Sequence, residues 1–134
     1  MKNPTSKTIL SADSYKAIAF SRGHEMNMDR PFEDNGNNTS ATPIEYLLAA
    51  IGGCVSMTLR VYANKEGWDL GEITVNVIQK NKLTSNGLST SLIEEISFEN
   101  EITQEQHEIL IIIAGKCPVV QLLKNETNIK SIIL

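Results

Sequence analysis

The sequence predicts a mixed chain of helices and antiparallel strands: a hairpin, a long helix, a strand pair, two shorter helices and a last strand. Three observations carry that expectation. An apolar run with helical spacing opens at Thr42-Pro43 and continues to Gly67. Alternating Ile73, Val75 and Val77 lead through a turn signal, Ser85-Asn86-Gly87, to a second strand-like run. Thr103-Gln104-Glu105-Gln106 opens another helical run, which Gly115 closes.

Residues 1–12 are expected as a loose arm or an edge strand. Ser14–Ser21 alternates as a strand does, Arg22-Gly23-His24-Glu25 is a turn signal, and Met26–Arg30 is the returning strand. Pro31–Ala41 holds Pro, Asp, Gly, three Asn and Thr, the composition of a loop. Thr42 then fits an N-cap, Pro43 the first helical position and Glu45 the reciprocal capping-box site. Ile44, Leu47, Leu48, Ile51, Val55, Leu59 and Tyr62 follow at helical spacing. Ala49, Ala50, Gly52 and Gly53 form a face of small residues. Two glycines inside a helix cost about 1 kcal/mol each relative to alanine, and close approach of another backbone, such as a second helix, is a reason to keep them.

Ile73–Lys82 is a half-buried strand, Leu83–Gly87 a turn and Leu88–Glu99 the antiparallel partner. The helix opened by Thr103 runs through Ala114 with Ile109, Leu110, Ile112 and Ile113 inward. Pro118 suits the first turn of a short helix reaching about Leu123, and Ile129–Leu134 reads as a final strand. No repeat, low-complexity segment or linker interrupts residues 1–134, so a single domain is expected.

Hydrophobic residues make up 41% and charged residues 21%, which argues for a globular chain with a small core. Net charge is −4 and no basic patch is visible, which counts against nucleic acid and anionic membrane surfaces as partners. The N-terminus lacks an apolar core of signal-peptide length. The most apolar stretches, Tyr46–Val55 and Ile109–Ala114, are each too short to span a bilayer. The expectation is a cytoplasmic protein, where thiols stay reduced and a disulfide is transient.

Two cysteines stand 63 positions apart. Cys54 ends the run Leu-Leu-Ala-Ala-Ile-Gly-Gly-Cys, and Cys117 precedes Pro118 at a helix junction. If the fold unites them, a two-thiol redox or nucleophilic site results; otherwise each is a small core or junction residue.

The run Pro43-Ile44-Glu45-Tyr46-Leu47-Leu48-Ala49-Ala50-Ile51-Gly52-Gly53-Cys54, together with Cys117-Pro118, resembles the OsmC/Ohr superfamily. The element order agrees from about Tyr15 onward. The resemblance implies an α+β fold with two subunits intertwined in a homodimer, their central helices packed at its middle. It also implies a thiol-dependent peroxidase without metal or organic cofactor. By that resemblance Cys54 is the peroxidatic residue, attacking an organic hydroperoxide, and Cys117 the resolving one, with an external dithiol as reductant.

Two departures stand out. In the family's peroxidases a Glu directly follows the helix-starting Pro; here that position is Ile44, and the nearby carboxylate is Glu45. A helical side chain turns by about 100° per residue, so Glu45 reads first as a capping residue and second as catalytic. The family also pairs an N-terminal Arg with the thiolate, and Arg22 matches better than Arg30. That cation matters, because a free thiol has a pKa of about 8.5 and burial raises it. Cys54 lies too deep in its helix for the N-terminal dipole to help. Cys117 stands where the amides of the Pro118 helix favour a thiolate.

His24 and His107 read as exposed polar positions, and Tyr46 and Trp68 as packing aromatics that could also line a pocket. The competing readings are a non-enzymatic dimeric binding protein for a small apolar or electrophilic ligand, and a thiol carrier of persulfide or acyl groups.

Overall fold

The computed structural model describes residues 3–134. Their contacts sort into two compact units, one reaching to Leu47 and the other running from Leu48 to Leu134. The first is built on three short antiparallel strands in the order β1-β2-β3: Lys7–Leu10, Ala17–Ser21 and His24–Met28. Lys7 pairs with Phe20 across the first ladder and Ser21 with His24 across the second. The hairpin is tighter than its sequence suggests. Arg22 and Gly23 alone make the turn, both at positive φ (52° and 83°), the twist that suits a two-residue hairpin. Strand β2 starts at Ala17 rather than Ser14, because the Ser14 hydroxyl accepts from the Lys16 amide (3.1 Å) and competes with the ladder.

Asp29, buried although charged, organises the loop after β3. Its Oδ1 accepts from the Arg30 amide (2.7 Å), and its Oδ2 from the Thr39 hydroxyl (2.7 Å) and amide (3.1 Å). These bonds, the Thr39 hydroxyl first, hold its carboxyl below the usual carboxylate range. Inside this loop Gly36 passes so close to the Arg30 carbonyl that no side chain fits.

Helix α1 spans Pro43–Glu66. Its start is capped as the sequence predicts: the Glu45 amide donates to Thr42 Oγ1 (3.2 Å), and Glu45 Oε1 accepts from the Thr42 amide (2.9 Å). It ends at Gly67, which takes the left-handed φ of 70°. In the second unit α1 presents Ile51, Val55, Leu59 and Ala63, one every four residues, to a core completed by Leu70, Leu110, Ala114, Cys117 and Val120. The whole helix is by length and composition apolar enough to cross a bilayer, with a mean hydropathy of 1.4 over its best window. One such helix is weak evidence of a span, and four of its residues, Ile51, Val55, Leu59 and Ala63, are buried in the core.

Strands β4 (Ile73–Thr84) and β5 (Gly87–Phe98) form one hairpin, with Ile73 opposite Phe98 and Val77 opposite Glu94. The ladder continues past Lys82 to a tight turn, so each strand has 12 residues. Only the half near its open end, including Ile73, Val75, Ile96 and Phe98, packs on the core. Helix α2 (Gln104–Ala114) carries the predicted capping box, in which Thr103 Oγ1 accepts from the Gln106 amide (3.1 Å) and Gln106 Oε1 from the Thr103 amide (2.9 Å). It buries Leu110 and Ala114; Ile112, expected inward, is exposed. Helix α3 (Pro118–Lys124) follows with Cys117 at its N-cap.

The expected final strand is not formed. Ile129–Leu134 is neither helix nor strand, and Ile129, Ile133 and Leu134 are almost wholly exposed. A strand needs a ladder partner for its amides and carbonyls, and among the described residues no strand pairs with this segment.

Candidate active site

The site starts from two apolar elements that converge. α1 presents Cys54 beside the core stripe, half-buried, while Cys117 is wholly buried and belongs to the core itself. The fold thereby brings together the two sulfurs that the sequence separates by 63 positions. Both are free thiols, and they lie close enough for Cys54 to perturb the Cys117 thiol.

Cys117 is at the N-cap of α3 because Pro118 lacks an amide and suits the first helical position. The Cys117 side chain makes no capping hydrogen bond, although the Val119 and Val120 amides of that first turn favour the thiolate. Burial acts the other way and is the larger effect, and the neighbouring Cys54 thiol adds to it. The net result pushes the Cys117 thiol up from its ordinary value. The expected thiolate at this N-cap is therefore corrected: a fully buried sulfur loses more solvation than two amides return.

The two glycines before Cys54 have different surroundings. A Cβ at Gly52 would meet the Val75 carbonyl at 3.5 Å and Val77 Cγ2 at 3.6 Å, ordinary contact distances, whereas one at Gly53 would meet nothing within 4 Å. Within this unit the backbone that approaches Gly52 is thus strand β4 rather than a second helix. A groove of about 520 Å³ runs along this face between Ala49, Gly52, Gly53 and the Val75–Val77 stretch of β4.

The other residues singled out from the sequence are placed by contacts inside their own units. Arg22 is exposed on the β2–β3 turn. Arg30 stacks on the Tyr15 ring, 4.9 Å from its centroid. Glu45 is held by the capping box, and its bonds to Thr42, the backbone one first, keep its carboxyl below the usual range. The Tyr46 hydroxyl donates to the Asn27 carbonyl (2.6 Å). Trp68 packs edge-on against Tyr62, with centroids 5.6 Å apart. His24 and His107 are exposed. Among the described residues no group of three or more His, Cys, Asp or Glu side chains could hold a metal ion.

Sequence reading passed over Glu94. The signal was present: in the β5 row Leu92, Glu94, Ile96, Phe98 it is the one carboxylate among apolar residues of the same parity.

A family model described as OsmC-like protein matches residues 36–131. No protein of curated function matches the chain. Several solved structures share its fold. The OsmC like protein of Mycoplasma pneumoniae is 21% identical with a TM-score of 0.71, over 92% of this chain and 88% of that one. The organic hydroperoxide resistance protein OsmC of Legionella pneumophila is 15% identical with a TM-score of 0.70, over 92% and 90%. The organic hydroperoxide resistance protein OhrB of Bacillus subtilis is 13% identical with a TM-score of 0.65, over 92% and 91%. At these identities the likeness is one of fold.

Proposed function

The chain belongs to the OsmC-like family, and from that premise we propose that it is a cysteine-based peroxidase reducing organic hydroperoxides. One observation carries the reading: the free, buried Cys117 thiol stands beside the free Cys54 thiol. Cys54, the more accessible sulfur, attacks the terminal oxygen of the hydroperoxide as thiolate. The O–O bond breaks, the alcohol leaves with a proton, and Cys54 becomes a sulfenic acid. Cys117 then attacks the oxidised sulfur; its proton leaves with the hydroxyl as water, and a Cys54–Cys117 disulfide forms. An external dithiol reduces the disulfide and is itself oxidised.

A buried, protonated Cys117 suits the second role better than the first, since the attacking sulfur must lose its proton before substrate arrives. In this reading Arg22 supplies the cation for the Cys54 thiolate. Glu45 positions the start of α1 through its capping bonds and, as a second role, serves as a catalytic carboxylate. The protein acts in the cytoplasm as a homodimer, with the small-residue face of α1 at the subunit contact, and needs no metal or organic cofactor.

Stopped-flow reduction of cumene hydroperoxide tests the reading. Turnover with a dithiol is expected in the wild type and lost in Cys54→Ser. In Cys117→Ala the first oxidation persists and stops at the sulfenic acid. A Cys54→Ser variant that turns over normally excludes Cys54 as nucleophile. A second reading, a non-enzymatic binding protein, draws on Ile44, which stands where the family's peroxidases carry Glu. Alkylation of Cys54 against pH separates the two. A midpoint at or above about 8.5 favours binding, and one well below about 7 favours catalysis.

A further inference from the structure

The chain holds two Asn-Gly pairs, Asn35-Gly36 and Asn86-Gly87. Both asparagines are exposed, so water reaches either side chain and exposure does not separate them. The glycines differ. The Gly36 amide donates to the Pro31 carbonyl (3.0 Å), and the Asn35 amide before it to the Phe32 carbonyl (3.1 Å). A Cβ at Gly36 would fall on the Arg30 carbonyl. Asp29 ties Thr39 back to the start of this loop. Freeing the Gly36 amide therefore means opening the whole loop from Asp29 to Thr39. Gly87 stands at the far end of the β4–β5 hairpin, away from the half that packs on the core. It pairs with Thr84 in the last rung before the turn residues Ser85 and Asn86. A Cβ there would meet nothing within 4 Å. The Asn86 amide donates to Thr84 Oγ1 (3.3 Å), which itself donates to the Gly87 carbonyl (2.7 Å), so these bonds stay between Thr84 and Gly87. The end rung of an exposed ladder opens at little cost.

We propose that Asn86-Gly87 is a site of spontaneous covalent modification, at which Asn86 loses its side-chain amide while Asn35 keeps its own. The Gly87 backbone nitrogen gives up its proton and bonds to Asn86 Cγ. The Cγ–Nδ2 bond breaks, and ammonia leaves with that proton. Water then opens the resulting cyclic imide at either carbonyl. One opening gives aspartate; the other gives isoaspartate, in which the chain runs through the former side chain. Water is the sole co-reactant, and nothing is oxidised or reduced. Glycine in the following position favours the attack, because no side chain shields its nitrogen. Either product replaces a neutral amide by a carboxylate and so takes the net charge one unit below −4. Isoaspartate also adds a methylene to the backbone of a two-residue turn, which works against the Thr84–Gly87 rung.

The test is incubation of the full chain in mildly alkaline buffer, followed by peptide mass mapping and isoelectric focusing. The peptide holding Asn86 is expected to exchange NH for O, and the peptide holding Asn35 to do so at least about tenfold more slowly. In urea, where both loops are open, the two should convert at comparable rates, because the dipeptide is the same. Asn86→Gln, whose longer side chain closes a less favourable ring, should remove the early acidic band from the focusing gel. Cys54→Ser should leave that band unchanged, since the step uses no sulfur. The proposal is overturned if the folded chain converts Asn35 as fast as Asn86. It is overturned equally if Asn86 converts only in urea, as it would with the tip covered by a second copy. A rate difference that persists in urea also overturns it, because the fold would then not be its cause.

Discussion

Oxidising the reduced chain with one equivalent of cumene hydroperoxide should lock Cys54 to Cys117 and stabilise the protein by an amount set by chain length. The bond would close a loop across 63 positions. Loop closure of that size removes enough denatured-state entropy to stabilise the fold by about 4 kcal/mol at 25 °C. The native side should contribute little opposing strain, because the two thiols are already neighbours in the reduced protein. For a chain of 134 residues that corresponds to a rise in Tm of about 15 °C. Calorimetry of the oxidised and reduced forms measures it, with intact mass showing the loss of two hydrogens and no change in oligomer size. A bridged chain that melts at or below the reduced one would refute the loop-closure reasoning. Oxidation that yields only bridges between chains would refute the placement of the two sulfurs.

Three further outcomes follow from the same structure. Burial, then Cys54, raises the Cys117 thiol above its unfolded value. That stabilisation is complete below about pH 8.5 and is lost as pH rises through the folded value. The urea midpoint of the reduced wild type should therefore fall between about pH 8 and about pH 11 more than that of Cys117→Ala. A Cβ at Gly36 would collide with the Arg30 carbonyl and lie 2.6 Å from Arg30 Cβ. Gly36→Ala should consequently cost about 3 kcal/mol or more in a denaturant titration. Thr103→Ala removes the Oγ1 acceptor of the Gln106 amide and should cost about 1 kcal/mol by the same measurement, with activity unchanged.

Much of this architecture was legible locally. Thr42–Glu45 and Thr103–Gln106 state their own caps, since each bond joins residues three apart, and Gly67 marks where α1 must stop. The β4–β5 hairpin announces itself through alternation and the Ser85-Asn86-Gly87 turn. Errors arose where the deciding partner was remote. Ile129–Leu134 has the composition of a strand, but composition supplies no neighbour to bond. Ile112 has the hydrophobicity of a core residue, but the angle of α2 turns Leu110 and Ala114 inward instead.

The chain's own order therefore determined the elements, their caps and the two cysteines, because those depend on propensity and on bonds a few residues long. Only the folded arrangement decided that Cys117 is wholly buried beside Cys54. It also decided that burial outweighs the α3 amides at that sulfur, and that Glu94 keeps an oxygen without a donor. Desolvation depends on every group packed around an atom, and most of those neighbours lie far away in sequence.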